Sequence, residues 1–138
     1  MRKADNATDP ATLNELSKLI LGAALHIHTA LGPGLLESAY EACLEHELRR
    51  RGLAVERQKQ LPVRYDDILV DAGYRIDLLV EGTVLLEIKA IRQFAPIHEA
   101  QVLTYLKLSG VHLGLLLNFN VTRLRNGGIK RLVHQFPD

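Results

Sequence analysis

"YRIDLLVEGTVLLEIKA", residues 74–90, is the stretch on which the reading of the chain turns. Two apolar runs flank Glu81-Gly82-Thr83, and side chains along a strand alternate between faces. The even positions are apolar in both runs: Tyr74, Ile76, Leu78 and Val80, then Val84, Leu86, Ile88 and Ala90. Both strands therefore offer their even residues to one core, and the register must keep that parity. A short connection with Gly82 in the turn pairs Val80 with Val84 and Leu78 with Leu86. Continued outward, it sets Asp77 opposite Glu87 and Arg75 opposite Lys89, all four on the face away from that core.

Two carboxylates directly opposed across a strand pair cost stability. A hard divalent cation between them reverses the sign, because such ions take carboxylate oxygens. Lys89, one step along the same face, is placed to reach a water on that ion or a phosphate beside it. The set suits metal-assisted hydrolysis of a phosphodiester. A plainer reading competes: a solvated strand face on which Arg75 and Lys89 offset the acids. The spacing D-x(9)-E-x-K does not by itself separate the two.

Outward from the hairpin, helical periodicity predicts a helix over 11–30, with Leu13, Leu16, Leu19, Ile20, Ala23, Ala24 and Ile27 in step. Gly32-Pro33-Gly34 stops it. A second helix is expected over 36–51, burying Ala39, Tyr40, Cys43, Leu44 and Leu48, with Gly52 just past Arg49–Arg51. Extended runs at 54–58 and 61–65 and a turn at Asp66-Asp67 lead into the hairpin. A helix over 97–109 follows Pro96. "VHLGLLLNF" (111–119) reads as a strand covered on both faces. "NGG" (126–128) turns the chain into a last strand, 129–134. The order ααββββαββ predicts an α+β domain with one mixed central sheet flanked by helices. Residues 1–10 are expected to be a flexible tail and 11–138 one domain.

The chain has 138 residues, 47% hydrophobic and 24% charged, with a net charge of +1. That balance excludes a broadly basic nucleic-acid binder, so any polyanion site must be a local patch. A single cysteine, Cys43, excludes an internal disulfide and a Cys-rich zinc site, and suits a reducing compartment. No signal-peptide pattern opens the sequence, and no apolar run reaches the ~18–20 residues of a membrane span. A cytoplasmic location with no membrane partner is expected.

Two more segments carry chemistry. "GLLESAY" (34–40) places Gly34 at a helix mouth, Glu37 in its first turn and Tyr40 on a neighbouring part of the face. A glutamate there also simply complements the macrodipole. "QVLTY" (101–105) sets Gln101 and Tyr105 on one helical stripe, which fits core-edge packing as well as a site. His26 and His28, two apart on a helix, point to different sides and make a poor zinc pair. His98 begins a helix one turn before Gln101, within reach of a phosphate or simply exposed. Basic clusters at Arg49–Arg51 and at Arg123, Arg125, Lys130 and Arg131 fit phosphate contacts and a charged helix end or edge strand equally well.

Taken in order, G-x-x-E, D, E-x-K and Q-x-x-x-Y resemble the PD-(D/E)XK nuclease superfamily, its RecB-like branch especially. "GLLESAY" is similar to the motif of its GxxExxY protein family, and "DLLVEGTVLLEIKA", "HEAQVLTYLK" and "GLLLNF" resemble that family too, over roughly residues 15–135. The resemblance implies an αβββαβ restriction-endonuclease-like core with an extra N-terminal helix. It implies Asp77 and Glu87 as metal-binding acids, the Ile88 carbonyl as a further ligand, and Lys89 orienting the attacking water. Glu37 would project toward the same site, and Gln101 and Tyr105 would hold the nucleic-acid backbone. The proline that names the superfamily is replaced by Ile76.

The expected function is therefore a Mg²⁺- or Mn²⁺-dependent nuclease of low sequence specificity acting on DNA or RNA. From size alone, it is expected to work as a homodimer or with a partner protein. The alternative is a catalytically inactive nucleic-acid-binding or scaffolding subunit that keeps the fold.

Overall fold

The computed structural model describes residues 8–137; of the expected N-terminal tail, 1–7 lie outside them. Asp9 begins the first helix, α1 (Pro10–Leu31), by accepting the Thr12 N–H at 2.8 Å, with Pro10 in the position where a missing N–H costs nothing. Helix α2 (Glu37–Arg50) follows the glycine-proline loop. Then come β1 (Val55–Gln60), β2 (Val63–Tyr65), β3 (Ile68–Val70), β4 (Arg75–Val80) and β5 (Val84–Lys89). Helix α3 (Pro96–Ser109), β6 (Leu113–Asn118) and β7 (Ile129–Val133) complete the chain. No described helix is long and apolar enough to cross a membrane.

The main sheet has the order β1-β4-β5-β6-β7. Helix α3 is the crossover that lets β6 run parallel to β5, and the other neighbours are antiparallel. This is the expected α+β fold, with an αβββαβ core of α2, β1, β4, β5, α3 and β6 preceded by α1. The β4–β5 register is the expected one: Val80 with Val84, Leu79 with Leu85, Leu78 with Leu86.

Three expectations need correction. The chain forms two sheets, not one, because Ile68–Val70 is a strand that pairs with β2 in a separate hairpin. The face of β4 and β5 opposite the first core is not open. Leu79 and Leu85 lie buried there with Val102, Tyr105 and Leu106 of α3, while Leu78, Val80, Val84 and Leu86 face α1 and α2. Gly114 permits this close approach, since a Cβ there would sit 2.9 Å from Val102 Cγ1. Lastly, the even residues of β4 do not share one side. Ile76 joins the α3 cluster whereas Leu78 joins the other, so the alternation breaks at Asp77.

Candidate active site

The break at Asp77 makes the site. The β4–β5 ladder holds its register as far as Leu78–Leu86, where side chains take over from the backbone. Asp77 Oδ2 accepts the Ile88 N–H at 2.8 Å, and Glu87 Oε1 accepts the Asp77 N–H at 3.4 Å. Asp77 and Glu87 thus lie together, half-buried and buried respectively, but not as the directly opposed pair the hairpin reading set, and Arg75 does not pair with Lys89 in the ladder. Glu87 is only 4% exposed. Burial lifts Asp77 to about 6, with the Ile88 N–H opposing and Glu41 adding to the rise. Burial and then the Asp77 charge push Glu87 up to about 8, against the pull of Lys89.

Glu41, one turn beyond Glu37 on α2, is the helical acid that confronts Asp77, and the sequence reading passed over it. It is buried, and Arg57 Nε donates to its Oε2 at 2.6 Å. Gln58 Nε2 bridges the two acids, donating to Glu41 Oε1 at 2.9 Å and to Asp77 Oδ1 at 3.3 Å. Gln58 has φ +55°, a left-handed conformation uncommon for a residue with a side chain. That local strain sits beside the point where β4 switches faces. The only hint in the sequence was the i, i+4 spacing of Glu37 and Glu41, which places both on one stripe.

Lys89 Nζ stands 4.0 Å from Glu87 Oε2. Glu37 is exposed and reaches the end of the same strand, where its Oε2 accepts the Ala90 N–H at 3.1 Å. Tyr40 serves the loop before the helix: its hydroxyl donates to the Gly32 carbonyl and accepts the Leu35 N–H, while its ring stacks on Phe119 at 4.7 Å. Asn118, fully buried, extends the β5–β6 pairing with its side chain. Its Oδ1 accepts the Ile91 N–H at 3.0 Å and its Nδ2 donates to the Ile91 carbonyl at 2.9 Å. Asn118 is opposite Lys89 in register, so this amide fixes the backbone just beyond the lysine.

Gln101 and Tyr105 are joined, Gln101 Nε2 donating to the Tyr105 hydroxyl at 3.0 Å. Burial raises the pKa of Tyr105, and Glu87 and Asp77 add to the rise, so this pair borders the acids. Tyr74 tilts against the Tyr105 ring at 6.2 Å. The remaining sequence candidates resolve differently. His28 is buried, its Nε2 3.2 Å from the Phe119 carbonyl and 2.9 Å from that of Val121, while His26 is exposed. His98 Nδ1 accepts the Ala95 N–H and caps α3. Arg49, Arg50 and Arg51 are taken up by Glu45 and Glu47.

The donor chemistry fits Mg²⁺ or Mn²⁺. Asp77 and Glu87 bring hard oxygens together where burial, and for Glu87 also the Asp77 charge, favours the protonated forms, so a cation would bind in competition with protons. Among the described residues no three His, Cys, Asp or Glu side chains are already grouped as ligands, so the fit rests on these two acids and backbone oxygen.

A family model of the PD-(D/E)XK nuclease superfamily matches residues 14–132, and the chain belongs to that superfamily. Its members are usually nucleases and typically use divalent metals such as Mg²⁺, which makes nucleic acid the implied substrate. No curated protein and no solved structure gives a match.

Proposed function

We propose that the chain is a divalent-metal-dependent nuclease that hydrolyses phosphodiester bonds of DNA with low base specificity, RNA being the alternative substrate. The reading rests on one observation: half-buried Asp77 and buried Glu87 lie side by side where the strand ladder gives way, with the Lys89 ammonium beside Glu87. Mg²⁺ or Mn²⁺ held by Asp77, Glu87 and the Ile88 carbonyl would acidify a water and offset charge building on phosphorus. Lys89 donates to the attacking water or to a non-bridging phosphate oxygen, stabilising charge as it develops. Glu41 and Gln58 hold the Asp77 carboxylate in place, and Glu37 and Asn118 fix the backbone on the far side of Lys89. Gln101 and Tyr105 steady the sugar-phosphate backbone at the rim.

The "GLLESAY" motif supports assignment to the GxxExxY family and to the RecB-like branch. Cys43 is unpaired, in keeping with a reducing cytoplasm. A homodimer or a partner protein would complete so small a core.

The test is cleavage of linear, circular and single-stranded DNA, and of RNA, by wild type, Asp77→Asn and Lys89→Ala with Mn²⁺, Mg²⁺ or EDTA. Metal-dependent cleavage by wild type, lost in both variants, is expected. Wild type that binds nucleic acid but never cleaves it would favour the inactive-subunit alternative. Cleavage persisting in EDTA, or equal in all three proteins, would remove the proposal.

A further inference from the structure

The loop at 119–128, between β6 and β7, carries a second feature. It is folded tightly: Asn126 N–H donates to the Arg123 carbonyl at 2.9 Å, Gly128 N–H to that of Leu124 at 3.0 Å, and Asn118 N–H to that of Gly128 at 2.8 Å. Leu124 is buried as its anchor, and His28 holds the loop's first carbonyls from below. Arg123 and Arg125 flank that anchor and are exposed. They line a groove of ≈ 520 Å³ with Thr29, Gly32, Thr122 and Asn126, and no carboxylate lines it.

The other members of the two basic clusters are already engaged. Lys130 bridges Glu99 at 3.2 Å, Arg131 donates to Asn14 Oδ1 at 2.9 Å and lies over the Phe136 ring, and Arg49–Arg51 are ion-paired. Among the described residues, Arg123 and Arg125 have no carboxylate or hydrogen-bonding partner. The loop that lines the groove leaves the sheet beside the end of β5 that carries Lys89. Phe119 N–H donates to the Lys89 carbonyl at 2.9 Å, and Asn120 Nδ2 donates to the Ile91 carbonyl at 3.4 Å.

We infer that this groove binds backbone phosphates of the nucleic-acid strand that lies across the Asp77–Glu87 site. A preformed concave surface with two unneutralised guanidinium groups, the Thr122 hydroxyl and the Asn126 amide matches a phosphodiester backbone and reads no base; the Thr29 hydroxyl is taken up by the Leu25 carbonyl at 2.8 Å. The inference rests on the nuclease reading of that site. It adds where the rest of the strand runs, in a chain whose net charge of +1 gives no general attraction to a polyanion.

The test is fluorescence anisotropy of labelled duplex and single-stranded DNA in EDTA, over a salt series, for wild type, R123A/R125A and the control K18A/K107A. The control removes the same charge from exposed sites away from the groove, and melting curves establish that all three fold. Each lost phosphate contact lowers the log–log salt slope by about 0.9 on duplex DNA, so R123A/R125A should lose about 1 to 2 in slope and bind more weakly at low salt. The control should behave as wild type. Equal slopes in R123A/R125A and wild type would overturn the inference, and if wild type still cleaves with Mn²⁺ the nuclease reading survives that result. Wild type that neither binds nor cleaves would overturn both.

Discussion

The carboxylate of Asp77 takes the Ile88 N–H at 2.8 Å, in place of a strand-to-strand backbone bond. One side chain thereby ends the β4–β5 ladder, satisfies the freed donor and carries its second oxygen to Gln58, which links it to Glu41. A half-buried acid becomes tolerable because backbone and amide donors partly replace its water.

Protonation should couple to both folding and metal affinity. Burial lifts Asp77 to about 6 and Glu87 to about 8, above the roughly 4 expected of both in an unfolded chain. The folded state therefore holds more protons across that interval. Its stability without metal is favoured near pH 4 and falls as pH rises through 6 and 8. Urea denaturation in EDTA at pH 5, 6.5 and 8 should show this decline, and Glu87→Gln should flatten it. Mn²⁺ affinity should move the other way, strengthening with pH, because ligand oxygens must be deprotonated.

The two helical glutamates should differ sharply. Glu41→Gln removes a buried charge that holds Arg57, and should cost about 1–3 kcal/mol along with most cleavage activity. Glu37→Gln keeps an acceptor for the Ala90 N–H at an exposed site and should cost under about 0.5 kcal/mol, with activity largely retained. Denaturant midpoints and cleavage rates for both variants check this. The reverse ranking would return the helical role to Glu37.

Asn118→Leu should be among the most damaging single changes near the site. It leaves the half-buried Ile91 N–H without its acceptor, at about 1–3 kcal/mol, and leaves the Ile91 carbonyl with only the longer bond from Asn120 Nδ2 at 3.4 Å. Chemical denaturation measures the loss. Tyr40→Phe keeps the stack on Phe119 and loses only the hydroxyl bonds to the Gly32–Leu35 loop, so about 1 kcal/mol is expected.

The hairpin register was legible in the sequence because turn length and the even apolar set constrain it twice over. The two-sided burial of β6 was legible as well, from an apolar run interrupted only by Gly114. The face switch at Asp77 was not legible, since it arises from Gln58 on a strand nearly twenty residues away and from Glu41 on α2. Period-two logic carried past that point put Ile76 on the wrong side. Glu41 drew no attention because its partners, Arg57 and Gln58, meet it only after folding. Ile68–Val70 carried no alternation, as all three residues are exposed in a small hairpin of their own.

The central claim is that Asp77 and Glu87 together hold a divalent ion. Calorimetric titration of Mn²⁺ into wild type, Asp77→Asn and Glu87→Gln at pH 8 tests it most directly. The account predicts saturable binding by wild type and none by either variant, with all three folded; equal Mn²⁺ affinity in the three proteins would contradict it.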